Sequence, residues 1–318
     1  MLEWEPGASA KTMRTRGDIL AKIRQFFAAR NVLEVETPLL AHATATDVYI
    51  QSWHVEQPAR KIEDRLYLQT SPEFSMKRLL GTGIGPIYQI CKAFRKEEAS
   101  RQHNPEFTML EWYRPGYSMF DLMDEVEQLV VSLLPGDAIP RFAYRDLFVD
   151  HLGIDPHRVT IEEINHLANS KMDLGSDDLS KTDYLQLLLD KCIEPLLPDK
   201  CFVYDYPVEQ AALAAIEKDG QGQSVARRFE LYCGGMEIAN GYFELVDADE
   251  QRARFDRDLG KRKELGLEQY PVDERLLAAL QSGLPACAGV ALGIDRLVMQ
   301  LTGANSIDQV ITFTTDHA

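Results

Sequence analysis

Residues 95 to 107 combine side-chain types that could bind a nucleotide. Arg95 follows a strand-like run, and Arg101 and His103 come shortly after it. A guanidinium group donates paired hydrogen bonds to carboxylate or phosphate oxygens. Phe107 adds an aromatic ring on which a base could stack. An arginine at a strand end is, by itself, more often a surface residue, but the combination predicts a nucleotide site.

A carboxylate lies in the strand-like segment that follows. Because strand side chains alternate between two faces, Glu111 shares a face with Phe107, Met109 and Tyr113. Burying an unpaired carboxylate costs on the order of several kcal/mol. The face therefore either opens toward a cationic ligand or contains an arginine or lysine partner. The second alternative is an internal salt bridge.

A second group of acidic and amide side chains surrounds a pair of glycines at 234 and 235. Its members are Glu230, Glu237, Asn240 and Glu244. Carboxylates that lie close together raise one another's pKa, so their proximity predicts Mg²⁺ or an ammonium group among them. Solvated strand faces are the alternative, although the apolar neighbours of these residues indicate core strands.

The segment from residue 289 to residue 296 is rich in glycine. It lacks the Lys-Ser/Thr pair of a P-loop and the spacing of a dinucleotide-binding fingerprint, so its glycines alone are weak evidence. Arg296 falls near the start of a predicted helix. The helix dipole and the guanidinium group both favour a phosphate there.

Hydrophobic periodicity predicts the elements that must position these side chains. Asn31 suits a left-handed helix stop, and the glycines at 234 and 235 suit a hairpin turn. The predicted elements are a helix over 14–29, a strand over 32–38, a hairpin of strands 87–95 and 107–113, a helix over 119–134, further helices between 141 and 198 including one over 184–197, a hairpin over 228–246, a helix over 249–265, and a last strand and helix over 288–301.

Composition excludes several classes of protein. With 318 residues, of which 45% are hydrophobic, the chain can bury one large core, and its net charge of -16 disfavours nucleic acid as a partner. Five scattered cysteines without a CxxC pair favour neither a zinc ribbon nor a disulfide framework. No apolar run approaches the roughly 20 residues that span a bilayer, and the first ten residues lack a signal-peptide pattern. We therefore expect a cytoplasmic protein with no membrane partner.

Three segments follow the order of the motifs of class II aminoacyl-tRNA synthetases. Residues 33–38 (LEVETP) resemble motif 1, residues 94–111 resemble motif 2, and residues 293–296 (GIDR) resemble motif 3. Residues 104–113 and 237–244 are specifically similar to lysyl-tRNA synthetases. The resemblance implies an α/β fold of the α+β type, with an antiparallel catalytic sheet flanked by helices, and a homodimer formed through motif 1. We predict a single catalytic domain over residues 1–318, with a helical insertion at about 137–200 and no N-terminal OB-fold domain for anticodon binding.

The resemblance also implies roles for individual residues. Arg95 and Arg296 would be catalytic: Arg95 would bridge the substrate carboxylate and the α-phosphate, and Arg296 would hold the far side of the nucleotide. The other residues of the ATP site would be Glu97, Arg101, His103, Asn104, Phe107 and Glu237. The residues that bind a lysine-like substrate would be Ser71, Glu73, Glu111, Tyr113, Asn240, Glu244, Ala291 and Gly293. Glu230 and Glu237 would bind Mg²⁺.

Two substitutions distinguish the chain from lysyl-tRNA synthetases. Ala291 stands where those enzymes have glycine, and Gln102 stands where they have an arginine that faces the phosphates, with Arg101 beside it as a substitute. One methyl group in a pocket changes discrimination by about 1 to 3 kcal/mol, enough to favour a differently placed amino group. In both positions the chain resembles the stand-alone paralogues of lysyl-tRNA synthetase that ligate (R)-β-lysine to elongation factor P.

The resemblance implies an ATP-dependent, AMP-forming ligase that uses ATP and Mg²⁺. It would activate (R)-β-lysine or lysine as an aminoacyl-adenylate and transfer the acyl group to the ε-amino group of a lysine on elongation factor P, with no tRNA involved. One alternative is a truncated lysyl-tRNA synthetase-like enzyme that acts on tRNA, which the acidic net charge disfavours. The other is a catalytically inactive regulatory paralogue, which the retained charges at Arg95, Glu230, Glu237 and Arg296 disfavour.

Overall fold

The computed structural model of the chain describes residues 4–56, 65–96, 100–174 and 179–318. Its helices and strands, in chain order, are α1 (Ala10–Ala28), β1 (Leu33–Glu34), β2 (Leu40–Ala41), β3 (His54–Val55), β4 (Leu66–Leu68), α2 (Glu73–Leu80), β5 (Ile87–Phe94), β6 (Glu106–Pro115), α3 (Met119–Leu133), β7 (Arg141–Ala143), α4 (Tyr144–Leu152), α5 (Ile161–Lys171), α6 (Lys181–Leu188), β8 (Lys200–Tyr206), β9 (Ile216–Lys218), β10 (Ser224–Cys233), β11 (Met236–Phe243), α7 (Ala248–Glu264), α8 (Glu274–Gln281), β12 (Cys287–Gly293) and α9 (Ile294–Thr302). These elements fall into two compact units. Unit 1 consists of Met1–Gly136 and Val246–Ala318, and unit 2 consists of Asp137–Leu245.

In unit 1, strands β1, β5, β6 and β12 lie side by side in that order. β1 runs parallel to β5, whereas β5 with β6 and β6 with β12 are antiparallel pairs. Strands β2, β4 and β3 form a smaller sheet. Phe27 of α1 stacks on Tyr88 of β5, with 4.4 Å between ring centroids, and also contacts the fully buried Trp112 of β6. These aromatic contacts hold α1 against the sheet that carries the predicted nucleotide residues.

The start of the chain differs from the sequence-based prediction in extent. Helix α1 begins at Ala10 because the hydroxyl of Ser9 accepts a hydrogen bond from the backbone N–H of Thr12 and so caps the helix. Asn31 has a φ of 54°, which confirms the predicted left-handed stop. The predicted strand over 32–38 is wrong in length, since only Leu33–Glu34 pairs with β5.

In unit 2, strands β11, β10, β8 and β7 are neighbours in that order, and β9 also pairs with β10. β10 is antiparallel to both β11 and β8, whereas β7 is parallel to β8. Gly234 and Gly235 have φ angles of 59° and 66°, so the turn between β10 and β11 uses the left-handed conformation that glycine tolerates. The predicted hairpin is confirmed.

The helical part of unit 2 contains one irregular segment. The predicted helix over 184–197 is wrong in detail: α6 ends at Leu188 and is followed by a π-helix over Leu189–Ile193 and a 3₁₀ turn over Glu194–Leu196. Pro195 lacks the backbone N–H that an α-helix requires, which explains the change of helix type. Isolated π-helical turns frequently lie near functional sites.

Three further predicted elements agree with the structure. The 87–95 and 107–113 hairpin is β5 with β6, the helix over 119–134 is α3, and the charged helix over 249–265 is α7. Antiparallel strands flanked by helices confirm the predicted fold class. All five cysteines lie in the described residues and are free thiols. None of the helices in the described part of the chain has both the length and the apolar character needed to cross a bilayer.

Candidate active site

Glu111 lies in the middle of the unit 1 sheet with only 2% of its surface exposed. On β6 it is paired with Gln89 of β5 on one side and with Ala291 of β12 on the other. Its Oε1 accepts a hydrogen bond of 2.6 Å from the hydroxyl of Tyr113, two residues further on the same face. The predicted shared face is therefore confirmed, and the hydroxyl of Tyr113 is a hydrogen-bond partner of the buried carboxylate.

The strand next to Glu111 presents only small residues to this face. Gly289, Ala291 and Gly293 of β12 pair with Tyr113, Glu111 and Met109 of β6, respectively. Directly paired residues project to the same side of a sheet, so no bulky β12 side chain covers the carboxylate. The methyl group of Ala291 is the only β12 side chain beside Glu111, which gives this predicted specificity position a physical basis.

The negative charge of Glu111 also affects the pKa of the Cys91 thiol. Cys91 of β5 pairs with Met109, and its sulfur accepts a hydrogen bond from the amide of Gln69. Burial raises the pKa of Cys91 to about 12, and the carboxylate of Glu111 contributes to the shift. The thiol therefore stays protonated and uncharged at neutral pH, so it does not act as a nucleophile here.

Arg95 and Phe107 lie together where the β5–β6 hairpin opens into its loop. The guanidinium carbon of Arg95 is 5.2 Å from the centroid of the Phe107 ring. The Nε of Arg95 is buried and has no hydrogen-bond partner among the described residues. A buried guanidinium N–H without an acceptor costs free energy, and an anionic ligand would supply that acceptor. The predicted pairing of a cation with an aromatic ring is thus present in unit 1.

The motif 2 loop contacts the start of α9 through His103. Nη2 of Arg296 lies 2.7 Å from Nε2 of His103, and Nδ1 of the same ring lies 2.9 Å from the hydroxyl of Ser100. A guanidinium group has donors but no acceptor, so Nε2 must accept and the ring proton must lie on Nδ1. In this arrangement His103 orients Arg296, which places two predicted ATP-site residues in direct contact.

Other predicted ATP residues of the loop have structural partners. Arg101 donates hydrogen bonds of 3.1 and 3.3 Å to the carbonyl of Asn305. Asn104 is buried, donates to the carbonyl of Glu106, and accepts from the backbone and hydroxyl of Thr315. These bonds fix the loop against the C-terminal segment of unit 1. Glu97 lies outside the described residues.

Ser71 and Glu73 lie at the beginning of α2. The Ser71 hydroxyl accepts a hydrogen bond of 3.2 Å from the N–H of Glu73. The carboxylate of Glu73 accepts a hydrogen bond of 2.6 Å from the ammonium group of Lys77, whose side chain is only 1% exposed. An ammonium ligand at Glu73 would therefore share the carboxylate with a lysine of the chain itself.

In unit 2, the carboxylate of Glu230 is surrounded by donors. It accepts hydrogen bonds from the guanidinium group of Arg228 and from the hydroxyls of Tyr206 (2.7 Å) and Tyr232 (2.6 Å). Burial raises the pKa of both tyrosines well above 10, so their hydroxyls remain protonated and donate. Glu230 is buried, so the alternative of a solvated strand face is wrong for this residue.

The other predicted residues of the hairpin lie along β11 and just beyond it. Asn240 pairs with Glu230 across the two strands, and its buried Oδ1 has no hydrogen-bond partner among the described residues. Glu237 is half-buried and pairs with Tyr232. Glu244 is buried and forms an isolated bridge to Ala214. The alternative of a solvated strand face is therefore also wrong for Glu244.

Acidic side chains in unit 2 affect one another's ionisation. Burial raises the pKa of Glu194 from its usual 4.5 to about 7, and the negative charges of Asp190, Glu230 and Glu237 add to the shift. Burial also raises the pKa of Asp190. Both residues come from the irregular segment after α6. The predicted proximity of carboxylates is therefore real, and it includes two acids that the sequence did not single out.

The donor set of unit 2 fits Mg²⁺ only as part of a shared coordination shell. No group of three or more His, Cys, Asp or Glu side chains in the described ranges is arranged to hold a metal by itself. Mg²⁺ is commonly bound by one or two carboxylates together with substrate phosphates and water. Glu230 keeps acceptor capacity beyond its three donors, since a carboxylate offers about four lone-pair sites. Glu230 and Glu237 therefore fit Mg²⁺ that arrives with a nucleotide.

Sequence reasoning missed several residues of the site. Lys77 is four residues after Glu73 on a helix, a spacing that could have predicted the pair. Arg228 and Tyr232 lie two residues from Glu230, so strand alternation could have found them. Tyr206 comes from β8 and His103 reaches α9, and no local sequence signal indicates either contact.

Comparison with known proteins assigns the family. The model of the class II tRNA synthetases for aspartate, lysine and asparagine matches residues 1–317. The chain belongs to the class II tRNA synthetase family. The resemblance drawn from three motifs is thereby confirmed, and class II synthetase-like ligases use ATP.

Relatives within the class II tRNA synthetase family are similar over nearly their whole length. An elongation factor P (R)-β-lysine ligase of Pseudoalteromonas translucida is 48% identical over 322 residues, which cover 99% of this chain and 98% of the relative. Proteins of the same name from Photobacterium profundum and Pectobacterium atrosepticum are 45% and 46% identical, with 99% of this chain and 99% and 98% of the relatives covered.

Proposed function

We propose that the chain activates (R)-β-lysine with ATP and transfers it to a lysine side chain of elongation factor P. The single observation that carries the proposal is the β6 strand, which bears Phe107 beneath the Arg95 guanidinium and, four residues later, the buried carboxylate of Glu111. β6 thus provides an aromatic ring for a nucleotide, beside the cation that follows β5, and an acid for an ammonium group. Relatives at 45–48% identity carry the name of this ligase, which supports the same assignment.

In the first half-reaction, a carboxylate oxygen of the amino acid attacks the α-phosphorus of ATP, and pyrophosphate leaves. The guanidinium group of Arg95 has a buried N–H available for an oxygen of the substrate carboxylate or of the α-phosphate. Arg296, oriented by His103, would hold the far side of the nucleotide. Arg101 and Asn104 would keep the loop in place, and Glu97 would lie near the adenine amino group.

In the second half-reaction, the ε-amino group of the acceptor lysine attacks the acyl carbon, AMP leaves, and the amine loses a proton. Neither half-reaction needs a side-chain nucleophile, so positioning and charge neutralisation supply the catalysis. Mg²⁺ would neutralise phosphate charge, held by Glu230 and Glu237. The residues proposed to bind the amino acid are Ser71, Glu73, Glu111, Tyr113, Asn240, Glu244, Ala291 and Gly293.

The test is amino-acid-dependent exchange of labelled pyrophosphate into ATP, measured separately with (R)-β-lysine and with α-lysine. Mass spectrometry of elongation factor P and of tRNA after the full reaction then identifies the acceptor. We expect the fastest exchange with (R)-β-lysine and an acyl adduct on elongation factor P alone. Efficient charging of tRNA would favour a lysyl-tRNA synthetase-like enzyme. Absence of exchange with every lysine isomer would favour an inactive regulatory paralogue.

We also propose a homodimer through the motif 1 region, as in the family. Leu33 of β1 and the nearby Leu39 and Leu40 are exposed large apolar residues in this chain, which a subunit interface would cover. Sedimentation equilibrium at micromolar concentration should give the mass of a dimer. A monomer mass under those conditions would contradict the proposal.

A further inference from the structure

A buried ion pair in unit 1 connects three segments that are far apart in the sequence. Nη1 of Arg16, on α1, lies 2.6 Å from Oδ1 of Asp295 at the start of α9. Nη2 of the same guanidinium group donates a hydrogen bond of 2.8 Å to the hydroxyl of Thr108 on β6. The side chains of Arg16 and Asp295 are 18% and 3% exposed. The pair is therefore shielded from water, unlike most surface ion pairs.

Asp295 also completes the edge of β6 where its neighbouring strand ends. Strand β12 ends at Gly293, which pairs with Met109. The next backbone N–H toward the loop, that of Thr108, donates a hydrogen bond of 2.7 Å to Oδ2 of Asp295. The carboxylate of Asp295 thus accepts the hydrogen bond from the Thr108 N–H that a backbone carbonyl of a neighbouring strand would otherwise accept. Asp295 lies in the first turn of α9, where the helix dipole also stabilises its negative charge.

The two partners of Arg16 are immediate neighbours of residues assigned to the nucleotide. Thr108 follows Phe107, the proposed adenine platform, and Asp295 precedes Arg296, the proposed phosphate ligand. Arg16 and Asp295 together contact both segments, and Arg16 also donates a hydrogen bond of 3.4 Å to the carbonyl of Val310. This network, together with the pairing of β6 and β12, therefore sets the separation between the ring of Phe107 and the guanidinium group of Arg296.

We infer that Arg16 and Asp295 are positioning residues that hold Phe107 and Arg296 at the spacing that binds ATP. The inference rests on the proposed function, since it concerns the nucleotide that this function requires. Neither residue is proposed to touch the nucleotide. A guanidinium group is needed at position 16 because one planar fork must reach a carboxylate, a hydroxyl and a carbonyl, which the single ammonium group of lysine cannot do.

The test compares Arg16→Lys with Arg24→Lys, a matched change on the same helix. Arg24 forms an exposed ion pair with Glu34 and contacts no residue assigned to the site. Titration calorimetry with a non-hydrolysable ATP analogue gives nucleotide affinity, and pyrophosphate exchange gives KM for ATP and for (R)-β-lysine. We expect Arg16→Lys to raise the dissociation constant and KM for ATP about 10-fold and to change KM for (R)-β-lysine less than about 2-fold. Arg24→Lys should change none of them.

A purely structural role predicts a different result. Thermal unfolding of Arg16→Lys would then shift while the affinity for the ATP analogue stayed at the wild-type value, and that result would overturn the inference. If Arg16→Lys does not fold, Thr108→Val carries the test, because it removes only the hydroxyl acceptor of Arg16. A dissociation constant raised about 2- to 4-fold in Thr108→Val supports the inference, and an unchanged one contradicts it.

The outcome for the inference is separable from the outcome for the proposed function. Wild-type protein that gives no exchange with any lysine isomer contradicts the proposed function. Equal affinity of wild type and Arg16→Lys for the ATP analogue contradicts the inference while leaving the function intact.

Discussion

The two units hold their charged residues in different ways. In unit 1, the guanidinium group of Arg95 lies over an aromatic ring and keeps a buried N–H without a hydrogen-bond partner among the described residues. In unit 2, the carboxylate of Glu230 accepts from one guanidinium group and two tyrosine hydroxyls. The first group has hydrogen-bonding capacity that a ligand can use directly. The second is oriented by the protein before any ligand arrives.

This difference predicts different roles for the two groups: Arg95 can bind a ligand through its unpartnered N–H, whereas the hydrogen bonds to Glu230 fix the orientation of its carboxylate. A donor without an acceptor gains a charge-assisted hydrogen bond when an anion enters, so its loss should reduce binding of the reacting group most. A carboxylate already paired with donors contributes a fixed orientation, and its loss should affect both stability and metal dependence. Substitutions in the two units should therefore give distinguishable results.

The largest effect is expected for Arg95→Ala. Removal of the guanidinium group should lower pyrophosphate exchange roughly 10³-fold, because the reacting oxygens would lose the buried N–H donor of Arg95. Lys96→Ala is the matched control, since the neighbouring ammonium lies over the Trp53 ring, 5.7 Å from its centroid, and is exposed. Exchange kinetics at saturating (R)-β-lysine measure both variants. Comparable losses in the two would mean that general positive charge, and not the Arg95 fork, binds the reacting oxygens.

A smaller loss of activity, together with a loss of stability, is expected for Glu230→Gln. The amide leaves Arg228 without its counter-ion, which should cost about 3–5 kcal/mol of unfolding free energy, and exchange should fall about 10²-fold with a higher Mg²⁺ requirement. Urea unfolding and Mg²⁺ titration of exchange are the measurements. Glu217→Gln removes the charge of an exposed partner of Arg227, which keeps its pair with Asp205, and should cost less than about 1 kcal/mol. An unaltered Mg²⁺ requirement in Glu230→Gln would remove the metal role from this residue.

A change in specificity of about 10-fold is expected for Ala291→Gly. The variant removes the methyl group paired with Glu111 and should shift the ratio of kcat/KM toward α-lysine over (R)-β-lysine. Ala288→Gly, on the same strand but paired with Arg114 on the other face, removes an equal volume and should leave the ratio unchanged. A ratio that does not move in Ala291→Gly would show that the methyl group does not set the preference.

The smallest effect is expected for Glu194→Gln in unit 2. The pKa of Glu194 in the folded protein is about 7, above its usual 4.5, so the folded state binds the proton more tightly than the unfolded state. Its contribution to stability is fully present below pH 4.5 and is lost as the pH rises to about 7. In metal-free buffer, Glu194→Gln should therefore gain a few degrees of Tm relative to wild type between pH 5 and pH 8. A Tm difference between Glu194→Gln and wild type that stays constant from pH 5 to pH 8 would contradict the assignment.

Particular residues show how far sequence reasoning reached. The strand period of two predicted that Glu111 and Tyr113 share a face, and the 2.6 Å hydrogen bond between them confirms it. The motif order predicted the family, which the match over residues 1–317 confirms. The helix over 184–197 was wrong because Pro195 and the packing of unit 2 favour a π-helix and a 3₁₀ turn, and propensity over a short window does not resolve such changes.

The sequence by itself determined which side chains share a strand face and where the hairpins turn, because alternation and glycine conformation are properties of the local backbone. Only the tertiary structure decided that Tyr206 donates to Glu230, that His103 orients Arg296, and that Asp295 joins Arg16 to Thr108. These partners are at least 24 residues apart in the sequence. Their contacts depend on strand register and on the packing of helices against the sheets, which local sequence patterns leave open.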